Sequence, residues 1–168
     1  CWRAQNGDLS EPWNETKLPK WEPPEEIAEK IRKTHKTILT GHKDNPNTNP
    51  TKLKEAKTPR HVAISLTGEP TLYPHLSQLI QTFHKQGYTT FLVTNGTIPT
   101  ALSQLSEEPT QLYISTCAPD KKTHTQICRP QTPNTWKKLN QTLSILSTFK
   151  CPTVLRLTLT KNLNLKNP

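Results

Sequence analysis

The residues with the most chemical potential lie in Ser65-Leu-Thr-Gly-Glu-Pro-Thr-Leu-Tyr-Pro74. An apolar run, His61–Leu66, precedes the Gly68-Glu69-Pro70 core of this stretch, and a segment of helical spacing follows it. A glycine and a carboxylate therefore fall where a buried strand ends and the chain turns toward a helix. In alternating strand–helix folds, ligands bind at that edge. Glycine lets a ligand approach the backbone closely, and a glutamate there can accept hydrogen bonds from an ammonium group. An ordinary turn with a capping acid would use the same residues, so the motif by itself decides little. Three further polar positions recur at comparable places. Asn95 ends the next apolar run, in a Val-Thr-Asn-Gly-Thr string that turn chemistry alone could explain. Ser115 ends the third, and Arg156 falls within the fourth, where a buried cation needs a partner or a cavity. Singly each reads as structural; together they put polar groups along one sheet edge, which is a ligand-site pattern.

The elements that must position them follow from spacing. Trp21–Gly41 reads as a helix, with Pro23 and Pro24 at its start, Glu25 and Glu26 on the positive end of its dipole, and Gly41 as its cap. Ile27, Ile31, Ile38 and Leu39 lie close to one face of it. Residues 42–60, rich in Asn, Pro and Lys, read as an irregular surface loop with room for a short helical piece near Lys52–Lys57. From His61 the pattern is regular. Strands at 61–66, 89–95, 111–116 and 153–160 alternate with helices, one of which carries Leu76, Leu79, Ile80 and Phe83 inward. Another spans Asn134–Phe149, with Trp136, Leu139, Leu143 and Leu146 three or four apart. Repeated strand–helix–strand units predict a parallel α/β sheet, twisted or closed into a partial barrel.

Bulk properties narrow the partners. Of 168 residues, 22 are Lys or Arg and 13 Asp or Glu, a formal charge of +9, which favours a polyanion such as nucleic acid. Mean hydropathy is −0.74, and no window approaches the ~20 apolar residues of a membrane span. The four cysteines, Cys1, Cys117, Cys128 and Cys151, lack the paired spacing of a zinc site and form no compact disulfide framework, so a reducing cytoplasm is the expectation. The chain opens on Cys1 and contains no Met. Its first helix has no strand before it, and it stops soon after the fourth strand. It therefore reads as an internal piece of a longer protein, truncated at both ends.

The strings Cys1-Trp2-Arg3, "HVAISLTGEPTLYP", "TTFLVTNGT", "PTQLYIS", "ICRP" and "TVLRLTLTKNLN", in that order, resemble the radical S-adenosylmethionine (SAM) enzymes that form the tricyclic base of wyosine in tRNA, the 4-demethylwyosine synthase family. The similarity runs from Cys1 to about Asn164. It implies a partial (β/α) TIM-like barrel of the radical SAM type lacking its first strand. It implies a 4Fe-4S cluster held by a C-x₃-C-x₂-C loop, whose last cysteine corresponds to Cys1, and SAM as cofactor. Gly68, Glu69 and Pro70 would hold the amino group of its methionine part, with Asn95, Ser115 and Arg156 near its ribose and carboxylate. The implied reaction condenses pyruvate-derived carbons with N1-methylguanosine of phenylalanine tRNA, using an external electron donor; a monomer is the expected state. Two cluster cysteines are absent from this sequence, and one thiolate cannot hold a cluster. The chain alone is therefore expected to be inactive, and no catalytic residue is assigned. Cys117, Cys128 and Cys151 read as ordinary thiols. The competing reading is a basic RNA-binding module, derived from such a domain, without catalysis.

Overall fold

The computed structural model describes residues 20–66 and 68–165. Its first helix, α1 (Pro24–Thr40), starts as the sequence suggests, with Pro24 at the first helical position and Glu25 and Glu26 in the first turn. It packs through Ala28 and Ile27 on the helix α3 (Leu76–Lys85), while Ile31 and Ile38 stay 46% and 61% exposed. Length explains this departure from the expected apolar face. A 17-residue helix is about 26 Å long and its 10-residue support about 15 Å, so the C-terminal turns overhang. They meet instead the short helix α2 (Pro50–Ala56), where His35 Nε2 lies 2.7 Å from the Ala56 carbonyl oxygen. The 42–60 segment is therefore not wholly irregular: Asn49 caps α2 by accepting from Lys52 N, with Pro50 at its first position.

Four strands, β1 (His61–Ile64), β2 (Thr89–Thr94), β3 (Gln111–Ser115) and β4 (Thr153–Arg156), form one wholly parallel sheet in the order β1-β2-β3-β4. The expectation of a parallel α/β sheet is met. Leu92, Leu112 and Ile114 point to one face and are fully buried under Leu76 and Ile80 of α3, Leu102 of α4 (Pro99–Ser103) and Leu139 of α6 (Thr135–Ile145). On the opposite face Phe91 and Tyr113 stack obliquely at 6.4 Å between ring centroids, and they, Val93 and Val154 are only half-buried. No member of the two core clusters comes from that face. Parallel sheets ordinarily have both faces covered; among the described residues, helices cover only one face of this one.

The strands end earlier than their apolar patterns. β4 stops at Arg156, not 160, because its neighbour β3 ends at Ser115, opposite Arg156 in the register, leaving Leu157–Thr160 no ladder to join. The backbone there is tied by Asn164, which donates to the carbonyls of Cys117 (2.6 Å) and Thr158 (2.7 Å) and accepts from Thr160 N. A helix absent from the sequence reading, α5 (Lys121–Cys128), fills part of the expected β3–α6 loop; Asp120 caps it by accepting from Thr123 N at 2.8 Å.

Its one buried residue, His124, lies 3.2 Å by Nε2 from Thr135 Oγ1 and packs on Trp136, while Nδ1 is buried with no partner among the described residues. Burial holds its pKa below the usual value. The neutral ring is thus the native form. Stability from this site is complete above about pH 6.5 and falls below it, where the unfolded chain takes up a proton that the folded chain refuses, by at most about 1.4 kcal/mol per pH unit. Urea unfolding at pH 7.5 and 5.5 should show this loss in the native chain and a smaller one in His124→Leu; equal losses would exclude the site as the cause.

Candidate functional site at the strand ends

Because the sheet is wholly parallel, all four strands finish on one edge. β1 leaves the sheet through Leu66, which takes a left-handed φ of +89° and is 96% exposed. Gly68 follows at φ +86°, a conformation that suits glycine, and a Cβ there would meet no atom of the described residues within 4 Å. The chain has turned back over the edge by Glu69, which caps the 3-10 turn Pro70–Leu72.

The Glu69 carboxylate is the hub of the site. Oε1 accepts from Thr71 N (3.1 Å), Thr71 Oγ1 (2.7 Å) and Thr94 Oγ1 (2.5 Å). Oε2 accepts from Asn95 N at 2.8 Å. One carboxylate thus binds the end of β2 to the loop that leaves β1. A carboxylate offers about four acceptor positions, two per oxygen. Among the described residues, Oε1 with its three donors is more than filled, and Oε2 with one retains a position.

Asn95 follows β2 directly, and its Oδ1 accepts from Thr97 N (2.9 Å) and Thr97 Oγ1 (2.6 Å). The turn reading of Asn-Gly is therefore correct, and the contact with Glu69 is made by the Asn95 backbone. Gly96 is buried at φ +67°, with its N–H on Thr94 Oγ1 (3.1 Å) and its carbonyl accepting from Thr142 Oγ1 of α6 (2.7 Å). One register step along, Ser115 is half-buried and pairs across the ladder with Arg156. Arg156 is exposed at the end of an edge strand, so water solvates it, and the expected need for a buried partner does not arise. A small cleft lined by Cys117, Ala118, Pro119, Leu157, Leu159 and Asn164 continues the edge past β3 and β4.

The structure thus brings Glu69 and Asn95 into contact and sets Ser115 and Arg156 beside them in strand order. At ~4.8 Å per strand the row from β1 to β4 spans about 14 Å, room for an elongated ligand. Thr71, Thr94 and Gly96, which fix the hub, were not recognised from sequence. The Glu-x-Thr spacing of a capped turn was the available signal for Thr71. Cys1 lies outside the described residues.

Among the described residues the thiols are not grouped as metal ligands. Partial desolvation and the neighbouring Cys117 raise the pKa of Cys128, and burial pushes Cys151 up to about 11, with the charge of Glu108 adding to the effect. Among the described residues no three or more His, Cys, Asp or Glu side chains are grouped to hold a metal. They do not fit a 4Fe-4S cluster.

Comparison with known proteins gives this edge its context. No protein-family model matches the chain. The S-adenosyl-L-methionine-dependent tRNA 4-demethylwyosine synthase of Pyrococcus abyssi is 42% identical over the whole chain, which covers 49% of that protein. The chain is thus similar over its whole length to part of a tRNA 4-demethylwyosine synthase. The Methanocaldococcus jannaschii synthase is 44% identical over 98% of the chain, which covers 52% of it. A solved structure of TYW1 with a lysine-pyruvate adduct bound superimposes with a TM-score of 0.81 at 46% identity, over 88% of this chain and 49% of that one. The chain thus spans about half the length of the synthases it matches.

Proposed function

We propose that this chain is the SAM-holding part of a radical SAM lyase that builds 4-demethylwyosine on tRNA. In this reading the complete protein condenses pyruvate-derived carbons with N1-methylguanosine of phenylalanine tRNA in the cytoplasm, drawing electrons from a separate donor. The sheet is one wall of a (β/α) barrel. Its helix-free face, which no core cluster covers, supports that reading. The observation that carries the proposal is the strand-end carboxylate with one acceptor unused among the described residues, in a chain 42–44% identical throughout to SAM-dependent synthases.

Glu69 Oε2 accepts from the ligand's ammonium group, and the exposed backbone at Gly68 lets the methionine part lie close. Asn95, Ser115 and Arg156 take the ribose and carboxylate, the guanidinium supplying the opposite charge. The aliphatic walls of the Leu157–Leu159 cleft lie where the purine would extend. A 4Fe-4S cluster would involve Cys1 together with cysteines outside this chain, and no step is derived through it. Pyruvate is supported by the lysine-pyruvate adduct of the solved relative.

Incubating the complete protein without oxygen with reductant, SAM, ¹³C-labelled pyruvate and tRNA carrying N1-methylguanosine should yield labelled 4-demethylwyosine on nucleoside mass spectrometry. SAM binding without any new nucleoside would overturn the reaction assigned. Tight tRNA binding with no SAM binding would instead favour the RNA-binding module that the +9 charge also suits.

A further inference from the structure

The basic charge is not spread over the molecule. Residues 30–60 hold nine Lys and Arg against only Asp44 and Glu55, a surplus of seven out of the chain's nine. Lys30 and Lys52 are paired, with Glu22 and Glu55 at 2.7 Å. The other seven, among them Arg32, Lys33, Lys36, Lys54 and Lys57, are exposed and make no ion pair among the described residues. The fold gathers them. The contact of His35 with the Ala56 carbonyl joins the overhanging end of α1 to the end of α2, and Arg60 leads directly into β1. Thr89 N, at the start of β2, donates to the Arg60 carbonyl, so this surface adjoins the N-terminal edge of the sheet, opposite the Glu69 edge.

We infer that the α1–α2 surface is an RNA-docking site that grips phosphates of the tRNA body, away from the nucleoside being modified. The inference rests on the tRNA substrate proposed above. Flexible, hydrated lysine heads without carboxylate partners suit a phosphodiester backbone, which needs charge without base-reading geometry. A separate grip on the RNA body is sterically feasible because β2, with six residues, is only about 20 Å long, and a folded tRNA is larger than this sheet.

The test uses the complete protein with Lys33, Lys36, Lys54 and Lys57 all changed to Glu, and a second variant with the same four changed to Gln, each checked for an unchanged melting profile. Titration with unmodified tRNA across a salt series should show the slope of log affinity against log salt reduced by about 3–4, near one per lost phosphate contact. Affinity at low salt should fall at least tenfold with Gln and further with Glu, while SAM affinity stays unchanged. Wild-type tRNA affinity and slope in both variants would overturn the inference and leave the reaction assignment standing. So would loss of binding to phosphatidylserine vesicles with tRNA binding intact, since the surface would then serve a membrane. Absence of 4-demethylwyosine from the wild-type reaction bears on the reaction alone.

Discussion

Glu69→Ala in the complete protein should lose SAM affinity by at least a hundredfold and destabilise the fold by about 3–4 kcal/mol. Hydrogen bonds to a charged acceptor contribute roughly 1.5–3 kcal/mol each, and leaving a buried donor unpaired costs more than the bond was worth. Four donors converge on this carboxylate. Thr71 N and Asn95 N regain water once it is gone, but Thr94 is only 2% exposed and its hydroxyl is left with the Gly96 N–H alone. The four bonds are not additive, so the expected loss is nearer two bonds than four. Glu69→Gln separates the hub from the ligand contact. Its carbonyl oxygen can keep the three bonds of Oε1, while its amide nitrogen faces Asn95 N, donor against donor, and carries no charge for an ammonium. Stability should fall by about 1–3 kcal/mol, and SAM affinity still at least tenfold. Urea unfolding reads the first quantity and calorimetric SAM titration the second. A Glu69→Ala protein that is destabilised but binds SAM normally would reduce Glu69 to a structural clamp and remove it from the ligand site.

The parts of this molecule legible in its sequence are those where one strong local pattern meets no competitor. Leu76, Leu79, Ile80 and Phe83 recur at helical spacing, and all four are buried on α3. The alternation of strands and helices was enough for a parallel sheet, and β2 and β3 end within one residue of their patterns. α5 escaped notice because a helix with a single buried residue, His124, has almost no apolar periodicity; the cue was Asp120 as its cap. β4 was read too long because the Leu–Thr alternation continues past Arg156, whereas a strand lasts only while its neighbour does. The placing of Glu69, Asn95, Ser115 and Arg156 at or beside successive strand ends was legible. The occupation of Glu69 by Thr71, Thr94 and Asn95 was not, since it depends on the register of two strands and on the turn between them. That engagement shifts the meaning of the Gly-Glu-Pro motif. Its acid first builds the edge, and in the proposed reading only its last acceptor meets a ligand.

Gly96→Val should be the most damaging single change to this domain, and Gly96→Ala the informative one. Gly96 sits at φ +67°, where a residue with a Cβ is strained by roughly 1–2 kcal/mol. The added carbon would lie 3.0 Å from Leu139 Cδ1, 3.2 Å from Ile114 Cγ2 and 3.3 Å from Thr142 Cγ2, all in the core between β3 and α6. Overpacking of that kind costs a further 1–3 kcal/mol, so Gly96→Ala should lose about 2–4 kcal/mol, and the branched Val enough to leave the domain unfolded at 37 °C. The damage should also reach the ligand edge. Thr142 Oγ1 holds the Gly96 carbonyl, the Gly96 N–H holds Thr94 Oγ1, and that hydroxyl holds Glu69 Oε1, a continuous path from α6 to the hub. Pushing the turn outward lengthens the Thr94–Glu69 bond and tilts Oε2, so folded Gly96→Ala protein should bind SAM about tenfold more weakly although residue 96 itself is buried. Leu139→Ala opens space on the side where the new methyl group is most crowded. That change alone costs about 2–5 kcal/mol, but combined with Gly96→Ala the total should fall short of the sum by 1 kcal/mol or more. A double-mutant cycle by urea unfolding, with SAM affinity measured on the same four proteins, decides the matter. Additive stabilities together with a wild-type SAM affinity in Gly96→Ala would mean that the core and the ligand edge are mechanically independent.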